Sequence, residues 1–180
     1  VMADSVPLLI WVHDAAGKIL FVNRRWEQFF GITQEGARRA GWQVVLHDED
    51  RAAYTELFLQ AVRGRHAFQA TARVRRADGE WRWIESHGVP RFGVNGELLT
   101  FAGTSDDVTE RRAFEEFIDL VVDRHATDPD MHVYHYAPYE PTAVKRLAGR
   151  YGTREEEVDQ LLRGGVFVDL YRAVRQGIRA

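Results

Sequence analysis

The sequence predicts an α+β domain followed by a shorter α/β segment, and three observations support this prediction. Segments with the alternation of strands or the periodicity of helices come in the order β-β-α-α-α-β-β-β, and after residue 107 the pattern becomes mainly helical. All five tryptophans lie before residue 84, and five of the six tyrosines lie after residue 130. We therefore expect two modules that meet near residues 107–115.

The composition limits the classes of function. The 180 residues suffice for one domain or two small ones, and the net charge of −3 gives no basic excess that would attract nucleic acid or an anionic membrane. The absence of cysteine excludes disulfides, thiolate metal sites, cysteine nucleophiles and flavin–cysteine photochemistry. Because no run of 18 apolar residues and no signal-peptide layout is present, we expect a cytoplasmic protein without a membrane segment.

The first elements are a hairpin and three helices. "LLIWVHDAAGKILFVN" contains two apolar runs around a turn at Gly17, which predicts paired strands. Asn23 is expected to cap a short helix that Gly31 closes, and Thr33 is expected to cap the next one. "HDEDRAAYTELFLQAVRG" predicts a longer helix with Asp48 as its cap.

Three further strands complete the predicted sheet. "AFQATARVRR" alternates and places Phe68, Ala70, Ala72 and Val74 on one face. The turn "ADG" joins it to "EWRWIESHGVP", and the turn "GVNG" leads to "ELLTFAGTSDD". We expect a five-stranded antiparallel sheet with helices on one face and a small apolar cavity between them.

Several motifs carry a family resemblance. "FVNRRWEQFFG", "HDEDR", "RRADGEWRWI", "GVPRF" and "GTSDDVTERR" occur in order at matching spacing, and residues 4–112 resemble a PAS domain of the sensory type with a PAC segment. In the last motif Asp107 and Glu110 have the spacing of a capping box for a helix that leaves the domain. We assign residues 4–106 to the PAS-like domain and 107–125 to a connecting exit helix.

The resemblance implies a module that senses a small ligand, forms a dimer interface, or does both. An apolar ligand would be surrounded by aromatic side chains from the predicted helices and the second strand. Filling of the core by the same side chains is the simpler interpretation, and we favour it. The candidate pocket residues are Phe21, Trp26, Phe29, Phe30, Trp42 and Phe58.

The sequence argues against haem and flavin. Haem needs an axial histidine, and none of the four histidines of the first part lies in the middle of the long helix, where haem-binding relatives of the resembled family carry theirs. His47 is expected in a loop, and His13, His66 and His87 are expected to face solvent. The cofactor is left unknown, and a redox or gas sensor remains a third alternative, which a visible absorption band would reveal.

Two tryptophans suggest a contact surface. Trp81 and Trp83 share one face of a predicted strand, and Ile84 points to the other face. Because large apolar groups then occupy both faces, a helix or a partner chain is expected to cover the outer one. We expect a homodimer through this sheet face or through the exit helix.

The second part predicts the order α-β-α-α-β-α with two parallel strands. "MHVYHYA" and "VFVDLY" are the strand candidates, and Thr153 with Glu156 predicts a capping box for the helix between them. A final helix is expected in "RAVRQGIRA". Two strands make a poor isolated sheet, so we expect close docking or dimerisation to bury this part further.

This part also resembles a known family. Residues 113–180 resemble part of a ribonuclease-H-like 3′–5′ exonuclease of RecB-family nucleases, through "HVYHYAPYEPTAVKRL" and "GVFVDLYRAVRQ". On that match His135 aligns with the motif histidine, Tyr136 replaces its asparagine, Glu140 takes a carboxylate position and Asp169 ends the later strand. We therefore describe residues 126–180 as a truncated exonuclease-like segment.

The exonuclease chemistry is incomplete. Cleavage with two metal ions needs about four carboxylates, and the pair on the family's first strand and the carboxylate of its last motif have no counterpart here. We expect a non-enzymatic protein with no metal site, no nucleic-acid partner, and His135, Glu140 and Asp169 as vestigial residues. The chain would be a natural fusion or a chimera. The alternative is a nuclease whose missing carboxylates come from another chain.

Overall fold

The chain divides into two compact units, Val1–Thr109 and Glu110–Ala180. The structure is a computed structural model that describes residues 8–135 and 139–170, without the side chains of residues 139 and 140. Within the part of the chain so described, no helix combines the length and the apolar character needed to cross a membrane.

From residue 8 onwards, the first unit contains five strands, three α-helices and a short 3₁₀ helix at Trp42–Val45. The sequence predicted this order of strands and α-helices, and the five-stranded α+β architecture is confirmed. The elements are β1 (Leu9–Asp14), β2 (Ile19–Val22), α1 (Arg24–Phe30), α2 (Gln34–Ala40), α3 (Asp48–Gly64), β3 (Phe68–Arg75), β4 (Trp81–Phe92) and β5 (Leu98–Asp107).

The sheet has the strand order β2-β1-β5-β4-β3, and all of its pairings are antiparallel. The first strand therefore lies in the interior of the sheet, beside the last one, with Trp11 opposite Gly103. Strands β3, β4 and β5 form a meander, because tight turns join them in sequence. The hairpin of the N-terminal part and the later three strands thus form one continuous layer.

A β-bulge at Leu20 changes the face on which the residues of β2 lie. Val12 pairs with Phe21 and His13 pairs with Ile19, so Leu20 is the extra residue. Ile19 and Val22 are both buried, although strict alternation would place them on opposite faces. Leu20 and Phe21 consequently lie on the outer side.

The predicted caps of α1 and α2 are confirmed, and the predicted cap of α3 is corrected. The side chain of Asn23 accepts from the Trp26 amide at 3.1 Å, and that of Thr33 accepts from the Gly36 amide. Gly31 ends α1 with φ of 67°, a left-handed conformation that suits glycine. Asp48 is not the cap of α3; His47 precedes the helix and its Nδ1 accepts from the Glu49 amide at 3.3 Å.

The described part of the second unit contains three α-helices and a two-stranded parallel sheet. The predicted parallel pairing is therefore present, while the final predicted helix lies outside the described residues. A separate apolar core joins the helices, with Phe114, Ile118, Val144 and Leu161 among its buried members. The elements are α4 (Thr109–Thr127), β6 (Val133–His135), α5 (Tyr139–Tyr151), α6 (Glu155–Arg163) and β7 (Phe167–Asp169).

Neither predicted capping box forms. Asp107 Oδ1 accepts from the Thr109 amide at 3.0 Å, but the Glu110 carboxylate bonds to Arg150 and to the Tyr151 hydroxyl. Thr153 does not cap α6, because Arg154 takes the position before the helix with φ of 57°. In both places a longer-range ion pair competes with the local cap. At the start of α4 it is the pair of Glu110 with Arg150. At the start of α6 it is the pair of Arg154 with Asp119, which has two hydrogen bonds of 2.6 and 2.8 Å.

Candidate functional site

A small cavity lies between the inner face of the first unit's sheet and the helices that cover it. Its volume is about 40 Å³, which is room for roughly three water molecules. The walls come from the sheet and from α1, α3 and the 3₁₀ helix, and they are mainly aromatic and aliphatic. The lining residues include Trp11, His13, Trp42, Tyr54, Phe58 and Ser105.

His13 is a polar residue in this mostly apolar wall. Strand alternation after Leu9 and Trp11 turns its side chain inward, and the residue is only 6% exposed. Its ring lies 4.9 Å from the Phe58 ring and 5.2 Å from the Trp11 ring between centroids. Neither ring nitrogen has a hydrogen-bond partner in the described part of the chain. The expectation that His13 faces solvent was therefore wrong, although the alternation of "LLIWVHD" contained the signal.

Burial keeps the His13 imidazole neutral. Desolvation lowers the pKa of His13 to about 4, against the opposing effect of the neighbouring Asp14 carboxylate. That carboxylate is occupied in the hairpin turn, where Asp14 Oδ1 accepts from the amides of Ala16 and Lys18, each at 2.9 Å. A neutral imidazole offers one N–H donor and one acceptor nitrogen.

A buried chain of hydrogen bonds lies beside the cavity. The Tyr54 hydroxyl donates to Ser86 Oγ at 2.7 Å, and Ser86 Oγ lies 2.6 Å from Ser105 Oγ. Trp11 Nε1 donates to Ser105 Oγ at 3.0 Å. Burial raises the pKa of Tyr54 to about 12, so its hydroxyl keeps its proton at neutral pH. The sequence-based predictions missed both serines, although their inward positions on β4 and β5 follow from alternation.

Two glycines make room for Trp11. Gly88 and Gly103 are opposite each other on β4 and β5, and the Trp11 indole covers both. A Cβ atom would lie 2.5 Å from the indole at Gly88 and 2.4 Å at Gly103, far inside ordinary contact distance. Phe101 stacks on Trp11 with an interplanar angle of 3°. The glycines therefore allow the indole to lie against the sheet, where its N–H reaches Ser105.

The structure brings part of the predicted pocket together. Phe29 packs against the core without lining the cavity. Phe21 is 38% exposed, because the bulge at Leu20 turns it outward. The predicted residues that do line the cavity are Trp26, Phe30, Trp42 and Phe58.

An ion pair joins the start of α3 to β3. Asp50 accepts from Arg73 Nε at 2.9 Å and from Arg73 Nη2 at 2.6 Å, and it also accepts from the Arg73 amide at 2.8 Å. These hydrogen bonds lower the pKa of Asp50 to about 2. The Arg73 guanidinium also lies 5.6 Å from the centre of the Trp83 ring, a cation–π distance.

The predicted contact residues lie on the outer face of the sheet. Trp81 is 48% exposed, and its ring centroid lies 4.6 Å from that of His47. Trp83 is half-buried under Arg73, while Ile84 points into the core. Trp81 thus presents a large apolar group to solvent.

The junction between β5 and α4 is hydrogen-bonded to β4. The Val108 amide donates to the Trp83 carbonyl at 2.8 Å, and the Trp83 amide donates to Thr109 Oγ1 at 2.8 Å. Arg82 Nε donates to Asp107 at 2.9 Å. Strand β4 therefore both flanks the cavity, through Ile84, and holds the start of the exit helix.

The vestigial nuclease candidates do not form a metal site in the described part of the chain. His135 on β6 lies opposite Asp169 on β7 in the parallel register. Tyr136 and the Glu140 side chain lie outside the description. No group of three or more His, Asp or Glu side chains that could hold a metal ion occurs among residues 8–135 and 139–170.

The sheet order, the helices over one face and the small apolar cavity between them define the class of the first unit. Residues 19–105 match the family model described as PAS fold. The crystal structure of a PAS domain from Colwellia psychrerythraea superposes with a TM-score of 0.52 at 28% identity, covering 59% of this chain and 91% of that one. The first unit is therefore a PAS domain, as the motifs predicted.

Two curated relatives place such a domain within longer proteins. An uncharacterized protein of Sinorhizobium fredii, y4lL, is 34% identical over 155 residues, which is 86% of this chain and 18% of that protein. The peroxide stress-activated histidine kinase mak1 of Schizosaccharomyces pombe is 24% identical over 116 residues, 64% of this chain and 7% of the kinase. The chain thus spans less than a fifth of either relative.

The Sinorhizobium alignment also concerns the second unit. Its 155 residues exceed the length of the first unit, which ends at Thr109, so the similarity includes part of the second. The first unit and at least part of the second therefore have similar sequence together in one protein of Sinorhizobium fredii, and the expectation of a chimera gains no support. The comparisons likewise give no support to the resemblance of residues 113–180 to a ribonuclease-H-like exonuclease.

Proposed function

We propose that this chain is a non-catalytic sensor and interaction module of a larger signalling protein. The observation that carries the proposal is the PAS sheet with a small apolar cavity whose wall contains His13, a buried histidine without a hydrogen-bond partner among the described residues. The relative from Schizosaccharomyces pombe, a histidine kinase that is similar in sequence, supports a role in signalling. The first unit would bind a small ligand or mediate dimerisation, and α4 would pass the change on to the C-terminal side of the helix.

Strand β4 provides the route for this coupling. Ser86 on this strand belongs to the buried hydrogen-bond chain. Three positions earlier, the backbone carbonyl and amide of Trp83 are hydrogen-bonded to the Val108 amide and to Thr109 Oγ1. A shift of β4 in response to a change in the cavity would therefore alter the start of α4. Coupling of this kind needs only a small displacement, because packed elements transmit strain.

Hydrogen exchange tests the route. In Ser86→Ala the Val108 amide is expected to exchange several-fold faster, relative to a core amide such as that of Phe58. His87→Ala changes an exposed neighbour on the same strand and serves as the matched control. An unchanged Val108 rate in Ser86→Ala, with faster exchange confined to the cavity wall, would contradict the coupling.

We further propose that the second unit acts without catalysis. The nuclease alternative requires several carboxylates around a metal ion, and the described part of the chain contains no group of three or more His, Asp or Glu side chains that could hold one. Incubation with single-stranded DNA and Mn²⁺ is expected to leave the DNA intact. Digestion that disappears in Asp169→Asn would instead establish the nuclease.

A further inference from the structure

We propose that the N-terminal half of strand β3 is a docking edge, to which an extended segment of another polypeptide chain adds as a further strand of the PAS sheet. An apolar side chain of that segment lies in a trough on the outer face of the sheet, next to this edge. The inference concerns a different surface from the cavity. It goes beyond the proposed function, because it names a protein partner and the way in which it is recognised.

The opposite border of the sheet, at β2, is closed to such pairing. The Val22 amide donates to Gln34 Oε1 at 2.9 Å. Arg38 donates from Nε to the Ile19 carbonyl at 3.0 Å and from Nη2 to the Leu20 carbonyl. Gln34 and Arg38 lie one turn apart on α2, so this helix takes the place that a neighbouring strand would need.

The C-terminal half of β3 is closed as well. The His47 amide donates to the Arg73 carbonyl at 2.9 Å, and the Arg73 amide donates to Asp50 at 2.8 Å. Leu46 also forms a bridge with Val74. The segment that leads into α3 therefore covers the edge along this half, and both backbone groups of Arg73 point away from β4.

The N-terminal half of β3 is open. In an antiparallel pair, both backbone groups of every second residue point to the same side, and the register of β3 with β4 is unbroken. The amides and carbonyls of Gln69 and Thr71 therefore point away from β4, as those of Arg73 do. Both residues are exposed, and no described residue bonds to these four groups. Such a row of strand donors and acceptors is the template for another strand.

The trough on the outer face begins at this open edge. It has a volume of about 400 Å³ and runs from Ala67 and Gln69 across β4 to Ala102 and Thr104 on β5. Val89, which is 49% exposed, supplies an apolar wall. A partner residue opposite Gln69 has its side chain on the same face of the sheet. The small Ala67 lets a leucine, methionine or aromatic side chain at that position reach the trough.

A second copy of this chain fits the open edge less well than a free segment does. Its own β3 carries the segment at His47 along the same edge. Antiparallel pairing of two β3 strands about Ala70 would bring that segment of one copy against residues 65–67 of the other. A free extended segment of about five residues spans the opening without this obstruction.

Random heptapeptides displayed on phage are the probe, and the full chain is the target. Enriched peptides are expected to have an apolar residue flanked by alternating positions that suit a strand. An enriched peptide is then synthesised and titrated into the ¹⁵N-labelled chain. The amide signals of Gln69 and Thr71 should shift saturably, and their hydrogen exchange should slow several-fold.

Methylation of single peptide amides tests the strand geometry on the unaltered chain. Only every second peptide amide faces β3 and donates to the carbonyl of Gln69 or Thr71. Methylation of such an amide is expected to weaken binding by about tenfold or more, because it removes a hydrogen bond and adds bulk at the edge. Methylation of the adjacent amide, which faces away, should change affinity by less than about twofold.

Variants of β3 and of the trough give the matching result from the protein side. Thr71→Pro removes the edge amide but none of the hydrogen bonds between β3 and β4, and should weaken binding by about tenfold. Thr71→Val keeps the backbone and is the matched control, with binding unchanged within about twofold. Val89→Gln places a polar group in the trough wall and should weaken binding several-fold.

Three results would overturn the inference. They are the absence of enriched peptides, equal effects of methylation at adjacent amides, and unchanged binding in a folded Thr71→Pro variant. Slow exchange at Gln69 and Thr71 in the concentrated chain without peptide, lost in Thr71→Pro, would assign the edge to a second copy and overturn the choice of partner. The methylation contrast decides the matter even where a variant fails to fold.

Discussion

His13 is a residue that the fold itself does not need. A buried polar group without a partner costs roughly 1–3 kcal/mol, and an apolar residue at this strand position would pack equally well against Trp11 and Phe58. Natural sequences tolerate such local conflicts mainly at functional sites. The position is therefore more informative than the aromatic residues around it, which any core would contain.

The depressed pKa of His13 predicts a pH dependence of stability. The unfolded chain takes up a proton near pH 6.5, while the folded chain resists it until about pH 4. The free energy of unfolding should therefore be independent of His13 above pH 6.5 and fall by roughly 3 kcal/mol between pH 6.5 and 4. Urea titrations at several pH values would measure the slope.

The control for this slope is His13→Leu, which has no titrating group at the position. Its free energy of unfolding should lack that part of the dependence between pH 6.5 and 4. An identical slope in the variant and the unaltered chain would show that other groups produce it.

The glycine beneath Trp11 makes a second prediction at the scale of the residue. Gly103→Ala adds a methyl group 2.4 Å from the indole and 2.2 Å from the His87 carbonyl oxygen. Since backbone cannot easily move aside, we expect a loss of about 1–3 kcal/mol in the free energy of unfolding. Ala102→Ser is the control, because it also adds one atom, at the preceding position of the same strand. It should change the free energy of unfolding by less than about 0.5 kcal/mol.

Residue-scale prediction from the sequence succeeded where the interaction was local. Asn23 and Thr33 cap the starts of α1 and α2, and Gly31 ends α1, as expected. Each of these interactions involves a backbone group within a few positions. Glu110 did not complete its predicted capping box, because its carboxylate bonds to Arg150 and Tyr151, about forty positions further along the chain. No local pattern could reveal that competitor.

The hydrogen-bonded pair of Asp50 and Arg73 fixes one element against another. Asp50→Asn removes the charge from a group that accepts from both the side chain and the backbone of Arg73. We expect the free energy of unfolding to fall by about 2 kcal/mol, the range for hydrogen bonds to charged groups. Asp48→Asn is the matched control on the same helix turn, because its ion pair with Arg51 is exposed and should contribute little.

The same pair has a pH signature of its own. The pKa of Asp50 is lowered from 3.8 to about 2 in the folded chain, so its stabilisation is present above pH 4 and disappears as the pH falls towards 2. This window lies below that of His13. A loss of stability confined to pH 4–6.5 would contradict this role of Asp50.

At the scale of elements, periodicity predicted the order of strands and α-helices of the first unit. It did not predict the face of every side chain, since the bulge at Leu20 moved Phe21 out of the predicted pocket. A bulge depends on how β2 pairs with β1, which a single strand's sequence does not state. Strand alternation in β1 does predict that the side chain of His13 points inward. The expectation that this histidine faces solvent did not use that pattern.

At the scale of the whole molecule, the exposed Trp81 predicts self-association. Burial of this side chain between two copies would support a homodimer through the outer face of the sheet. Trp81→Gln is expected to raise the dimer dissociation constant at least tenfold in sedimentation equilibrium. Val94→Gln, at a fully exposed apolar residue in a turn, should leave the constant unchanged.

Two results would count against this interface. One is a chain that remains monomeric at several hundred micromolar. The other is a dimer that Trp81→Gln does not weaken, while a change at the exposed Leu120 on α4 does weaken it. The second result would move the interface to the exit helix.

The second unit shows where sequence reasoning reached its limit. The parallel pairing of β6 and β7 was predicted from the alternation of strands and helices, and the structure contains it. The exonuclease resemblance rested on short motifs around His135 and Asp169, and the comparisons do not support it. Two strands with intervening helices suit many folds, so the arrangement alone cannot select a family.

The bulge at Leu20 also affects how readily the edge of the sheet can pair with another chain. Strand β2 is one of the two outermost strands of the sheet, and outermost strands with free backbone groups invite uncontrolled stacking of chains into fibres. A local kink interrupts the flat ribbon that such stacking needs, and β2 is only four residues long. The bulge that displaced Phe21 and the hydrogen bonds that Arg38 donates to the carbonyls of Ile19 and Leu20 thus reduce what this edge offers to the backbone of another chain.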